Sequence, residues 1–158
     1  MQFAAIIPSD ITFFKTTLGD AFVLADEETL RNYGHDETED LVYLPEVVLK
    51  PADTAQISAI VKHCNSNNIP VTTRGGGTGL SGGALPVHGG VILSMERFNK
   101  IIAIDERNLQ VTVEPGVITQ VLQETVLAKG LSYPPTHQAV ARVLLGVILP
   151  TTRAGRVR

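Results

Sequence analysis

Arg74 to Ala84 reads R-G-G-G-T-G-L-S-G-G-A, six glycines in eleven residues. No core segment and no simple turn has that make-up. Glycine is placed where the backbone needs a positive φ or where another group must come close to it. A run of this kind can turn its amide N–H groups inward and hold an anion, typically a phosphate. Just before it, Ile69-Pro70-Val71-Thr72-Thr73 carries the β-branched residues of a short strand. The loop therefore leaves a strand end.

Two familiar phosphate motifs are excluded. The loop lacks the Lys-Ser/Thr ending of a P-loop, and no long amphipathic helix opens after Gly79 as a dinucleotide fingerprint requires. Instead Leu85-Pro86-Val87-His88-Gly89-Gly90 leads into Val91-Ile92-Leu93-Ser94, another strand. The order is strand, glycine loop, strand. Arg74 and the hydroxyls of Thr78 and Ser81 add a cation and donors suited to a diphosphate, which a flexible linker does not need.

Around the loop, residues 8–34 predict two short helices, with Ser9-Asp10 capping the first and Glu27-Glu28 in the first turn of the second. Gly34 to Asp40 is polar, and Asp36, Glu37, Glu39 and Asp40 read as a solvated loop rather than a cation site. Pro45 to Lys50 predicts a strand closed by Pro51. Residues 53–66 predict a helix capped by Asp53 or Thr54, with Ile57, Ile60, Val61 and Cys64 on its apolar side. Ile101–Ile104 and Leu109–Val113 predict a hairpin across Asp105 to Asn108. Glu114-Pro115-Gly116 is a turn into a helix over 117–129, with Val117, Val121, Leu122 and Val126 or Leu127 inward and Gly130 as its stop. Together these elements predict an α+β layered domain.

The same blocks carry a family resemblance. Tyr33-Gly34-His35-Asp36 with Glu39-Asp40, Pro45 to Pro51, Pro70 to Arg74 into the glycine loop, Gly90 to Ser94, and Val113 to Val117 stand in family order and spacing. Over residues 40–135 the chain resembles the N-terminal part of the two-subdomain FAD-binding domain of the p-cresol methylhydroxylase/vanillyl-alcohol oxidase type. Within it, the nearest subgroup is that of glycolate oxidase flavin subunits, D-lactate dehydrogenases and D-2-hydroxyglutarate dehydrogenases. The resemblance implies FAD as cofactor, with Arg74, Gly75, Gly76, Gly77, Thr78, Gly79, Ser81 and Gly82 touching its pyrophosphate, mostly through backbone N–H. It implies a small 2-hydroxy acid as substrate of the full-length family; the alternatives are a non-catalytic flavin- or nucleotide-binding module, a chain completed by a partner subunit or by self-association, and an inactive truncated product. Catalytic side chains are expected from a C-terminal cap domain, so none is assigned here. His35, His63, His88 and His137 are scattered without metal-ligand spacing, and no metal site is expected.

Composition agrees with a globular cytoplasmic domain. A length of 158 residues suffices for a core. A single cysteine, Cys64, excludes an intrachain disulfide and suits a reducing compartment. There is no signal-like N-terminus and no apolar run of membrane-spanning length. The net charge of −3 gives no case for nucleic acid. The charge distribution breaks sharply, however. All 16 acidic residues lie within 1–135, while the tail has no acid, no lysine and the arginines Arg142, Arg153, Arg156 and Arg158. This divides the chain into a helical lead-in (1–40), the FAD-binding part (41–135) and a divergent tail (136–158). After Tyr133-Pro134-Pro135 the resemblance leads one to expect D-P-x-S and then G-G-N-x-A-x-N-A-G-G-P-R-A. Regrouping the codons by one base makes the tail compatible with that text. Thr136, ACN, yields NAC for Asp; Leu145 through Ile148 can yield G-G-N; Leu149 onward can yield A-N-N-A-G-G-P-R-A. The tail is thus read as a frameshifted stretch that ends early, and a chain cut this way is expected to hold FAD poorly.

Overall fold

A computed structural model of the chain describes residues 3–133 and the backbone of 149–150. The expectation of a shifted frame over 136–158 falls on residues outside those described, apart from that dipeptide backbone. The chain divides into two compact units, Met1–Phe98 and Asn99–Arg158.

In the first unit, α1 (Pro8–Leu18), β1 (Val23–Leu24) and α2 (Glu27–Tyr33) precede β2 (Val47–Leu49), α3 (Thr54–Ser66), β3 (Val71–Arg74) and β4 (Val91–Ser94). The sheet order is β1-β2-β4-β3. β2, β4 and β3 are parallel, with Val47 opposite Val91 and Arg74 opposite Ser94, while β1 runs antiparallel to β2. Every residue of β2 and β4 is buried. That explains their unbroken apolar runs, since central parallel strands are covered on both faces.

Helix α1 packs into the same core. Phe14, Leu18 and Val23 cluster with Val47, Leu49, Ile60, Cys64, Ile69, Val91 and Leu93. The lead-in thus contributes apolar side chains to the sheet's cover. The cap of α1 also differs from expectation. Pro8 opens the helix, and Asp10, two residues in, accepts the Ile7 N–H at 3.0 Å. Helix α3 is capped as read, with Asp53 accepting the Gln56 N–H at 2.8 Å. Val61 is exposed, because Ile57, Ile60 and Cys64 define the inward stripe and Val61 stands about 100° from Ile60.

Cys64 lies in the core, as its place on α3 predicts. Burial, with the nearby Asp10 carboxylate adding to it, pushes its thiol up to about 11. The folded state thus favours the protonated thiol. Its contribution to stability is complete below the ordinary thiol range and is lost as pH rises through about 11. Urea unfolding between pH 8 and 11 should show falling stability, and Cys64→Val should remove part of that slope.

The second unit holds β5 (Ile101–Asp105), β6 (Gln110–Val113), α4 (Thr119–Leu127), β7 (Leu131–Ser132) and β8 (Leu149–Pro150). β5 and β6 form the expected antiparallel hairpin. Asp105 Oδ1 holds its turn by accepting N–H bonds from Arg107 and Asn108 at 3.1 and 3.0 Å. Val117, Leu122, Val126, Leu131 and Tyr133 make its core. Val121 and Leu127 face out, each about one residue around α4 from the buried Leu122 and Val126.

Candidate functional site

The glycine loop starts at the C-terminal end of β3 and returns to β4, its parallel neighbour, with no helix in the crossover. Of the eight residues singled out in the sequence, Arg74 ends β3 and the other seven lie between 75 and 82, with Leu80 interposed. Gly75, Gly79 and Ser81 are exposed, whereas Gly76, Gly77, Thr78 and Gly82 are half-buried. Among the described residues the N–H groups of Gly76, Gly77, Gly79 and Ser81 meet no protein acceptor. The Gly82 N–H is engaged, donating to Thr38 Oγ1 at 2.8 Å.

Arg74 is buried, at 8 % exposure. Its Nη1 donates to the carbonyl of His35 at 2.7 Å and to that of Tyr33 at 3.4 Å. Its guanidinium carbon lies 5.5 Å from the Tyr33 ring centre. Gly77 rests directly on this guanidinium. At φ +70°, a Cβ added to Gly77 would stand 2.0 Å from Arg74 Nη2. The side chain expected to offer its charge to a ligand is thus packed against the residue 33–35 backbone.

Tyr33 is fixed in turn. Its hydroxyl donates to Glu96 Oε1 in a short hydrogen bond. Lys50 Nζ binds Glu96 Oε2 at 2.8 Å and sits 5.3 Å from the Tyr33 ring centre. Burial, then the Glu96 bond, push the Tyr33 hydroxyl up. Burial alone would raise Glu96, but its bonds to Lys50 and Tyr33 outweigh that and hold it below the usual carboxylate range. Burial alone would lower Lys50, but its bonds to Glu96 and Tyr33 leave it raised. Lys50 and Glu96 are therefore charged at neutral pH and Tyr33 is a neutral donor. Stability from Glu96 is present above the ordinary glutamate pKa and is lost as pH falls through its depressed one. Glu96→Gln should cost about 1 kcal/mol, discounted for partial exposure, and should flatten the acid limb of a urea-unfolding pH profile.

Asp36 corrects the reading of residues 34–40 as wholly solvated. It is 8 % exposed, because the chain folds back beneath the glycine loop. Oδ1 accepts the Thr38 N–H at 2.9 Å. Oδ2 is buried with no hydrogen-bond partner, and a Cβ on Gly79 would lie 3.8 Å from it. Residues 33–38 thus underlie the loop at three points: Arg74 with Gly77, Asp36 with Gly79, and Thr38 with Gly82. Nothing in the local sequence signals this platform, since its partners lie some 40 residues away.

The histidines do not converge. His63 binds Asp10 at 2.7 Å and stacks on Phe13, and the His88 ring lies 5.0 Å from that of Phe3. His137 falls outside the described residues. No cluster among the described residues fits a metal, and no described helix is long and apolar enough to cross a membrane.

Residues 45–156 match a family described as an FAD binding domain. The matched span runs past Pro135 into the tail. The chain is 43 % identical over 114 residues to the glycolate oxidase subunit GlcD of Bacillus subtilis (strain 168), covering 72 % of this chain and 24 % of that protein. It is 37 % identical to a D-lactate dehydrogenase of Anaerostipes hadrus, covering 85 % and 28 %. It is 31 % identical to a D-2-hydroxyglutarate dehydrogenase of Stutzerimonas stutzeri (strain A1501), covering 94 % and 32 %. Among solved structures, p-cresol methylhydroxylase with substrate bound superposes with a TM-score of 0.75 at 28 % identity, covering 84 % of this chain and 27 % of that one. The chain spans about a quarter to a third of the length of these curated relatives.

Proposed function

The chain belongs to the FAD binding domain family, and from that premise we propose that residues 75–82 hold the pyrophosphate of FAD. The observation that carries this reading is the loop at the end of β3, with the N–H groups of Gly76, Gly77, Gly79 and Ser81 free of acceptors among the described residues. Backbone amides at a strand end suit the paired negative charges of a diphosphate and tolerate close approach only where side chains are absent. Bound FAD supplies a ring that accepts a hydride equivalent. The protein's part here is to grip and orient the dinucleotide. Relatives named for glycolate, D-lactate and D-2-hydroxyglutarate support a small 2-hydroxy acid, oxidised at C2, as the substrate of the whole enzyme. No described side chain is assigned to that step.

Taken alone, the chain is expected to bind FAD weakly and to turn over none of these acids, with the remaining contacts supplied by further polypeptide, a partner subunit or a second copy. The cofactor part of this is tested by titrating the chain with FAD and following flavin fluorescence. Ser81→Asp, an exposed position on the loop, should weaken binding about ten- to a hundredfold, the cost of one like charge near the diphosphate. Equal affinity in wild type and variant would place the flavin elsewhere. Stoichiometric flavin in the purified chain would overturn the weak-binding part. For the tail, the coding DNA decides between a shifted frame and a diverged segment, and the family match as far as residue 156 favours neither a clean end at Pro135 nor an unrelated extension.

A further inference from the structure

We propose that Arg74 is a positioning residue of the glycine loop and makes no contact with the diphosphate through its guanidinium. A cation beside an anion loop invites the opposite assignment. The geometry argues against it on three counts. The side chain is buried. Its Nη1 is spent on the carbonyls of His35 and Tyr33. Its Nη2 lies where a side chain on Gly77 would have to go.

These contacts assign it a different task. Carbonyls of residues 33 and 35 and the ring of Tyr33 form a three-sided seat, and Tyr33 is itself held through Glu96 and Lys50. The planar guanidinium fills that seat, and Gly77 lies on its outer side with φ +70°. Arg74 thereby sets the height of the loop over residues 33–38, and with it the direction of the Gly76 to Gly79 amides. Lysine cannot reproduce this. It has no planar fork, and its ammonium group is compact and strongly hydrated. Glycine at 77 is required by the arginine beneath it as much as by the backbone angle.

The ligand in this inference rests on the flavin reading, but the loop conformation does not, so the decisive measurement is made without flavin. Amide hydrogen exchange at Gly82, the loop N–H held by Thr38, should rise about tenfold in the full chain in both Arg74→Lys and Arg74→Gln, the loss expected from one to two net hydrogen bonds. Exchange in β2 and β4 should stay unchanged. FAD affinity should fall about tenfold in both variants. Gly77→Ala should have the same local effect, and Arg74→Gln combined with Gly77→Ala should be no worse than the more damaging single change, because both act at one contact. Wild-type exchange at Gly82 in Arg74→Lys overturns the proposal, whether FAD affinity falls (a direct charge contact) or holds (no role). Strict additivity of the two substitutions overturns it as well. Should the variants unfold, the wild-type chain decides. The Arg74 guanidinium nitrogen resonances should be resolved and unmoved by inorganic pyrophosphate or FAD, while the Gly76, Gly77 and Gly79 amides shift. Guanidinium resonances that titrate with pyrophosphate refute the assignment. Absence of any shift with either ligand, alongside raised exchange in the variants, refutes the flavin reading and leaves the positioning role intact.

Discussion

Gly90→Ala is expected to destabilise the first unit by about 3 kcal/mol or more. Gly90 sits at φ +68°, where an added Cβ would stand 2.4 Å from the Pro70 carbonyl oxygen and 2.6 Å from Pro70 Cγ. A left-handed backbone costs a side-chain-bearing residue about 1–2 kcal/mol. Overpacking against the body of a neighbouring strand costs typically about 1–3 kcal/mol more. Backbone cannot swing aside as the end of a long side chain can. Two strand contacts meet at this point: the Glu46 N–H donates to Gly90 O at 2.8 Å and the Val91 N–H to Pro70 O at 2.9 Å. Moving Gly90 therefore disturbs the start of β2, β3 and β4 together. Urea unfolding followed by circular dichroism should show the midpoint fall with an unchanged slope. A loss below about 1 kcal/mol would mean that the Gly90 backbone relaxes freely, contrary to the close approach.

Phe14→Ala should cost about 3–5 kcal/mol, the usual range for emptying a buried aromatic site. Phe14 is 0 % exposed and meets the edge of the His63 ring at 5.5 Å, so its removal opens a hole between α1, α3 and the sheet. Phe13, only partly buried, stacks on the same imidazole at 4.1 Å. Phe13→Ala should cost less, since its ring is only partly buried at the edge of the cluster. The comparison tests whether residues 8–18 are structural members of the unit. Equal small effects would make α1 an appendage. A large loss at Phe14 alone places its inner face in the core.

Much of this fold is legible locally. Strands β3 and β4, helix α3 and the β5–β6 hairpin each follow from short-range periodicity and turn chemistry, and their limits fall within a few residues of the expected ones. Errors arise where a tertiary neighbour decides. Val61 and Val121 are apolar and near the inward stripe, yet they face out, because only packing fixes how far a helix is rotated. Asp36 carries a polar, loop-like signature and is nevertheless buried beneath residues that come some 40 positions later. Arg74 shows the same limit more sharply. Sequence identifies the loop and a cation beside it, but the direction of the side chain depends on Tyr33, whose own placement depends on Glu96 and Lys50. A chain of contacts separated by 46 to 63 residues leaves no periodic trace.

The parallel pairing of β3 with β4 has one further consequence. A connection between parallel neighbours must travel back along the whole strand, roughly 13 Å for four residues, before it can re-enter the sheet. Residues 84–90, with Leu85 and Pro86 buried, make that return journey through tight turns, the Val87 N–H donating to Leu85 O at 3.0 Å and the Gly89 N–H to Pro86 O at 2.8 Å. Shortening them would drag the Gly75–Gly83 arc toward the sheet's opposite end, whereas extra residues at Gly83, which has open space around it, would lengthen the arc without shifting either anchor. Tolerance to length change is therefore lopsided: Gly83 has room for insertions, whereas deletions after it break the hydrogen-bonded turns of 85–89.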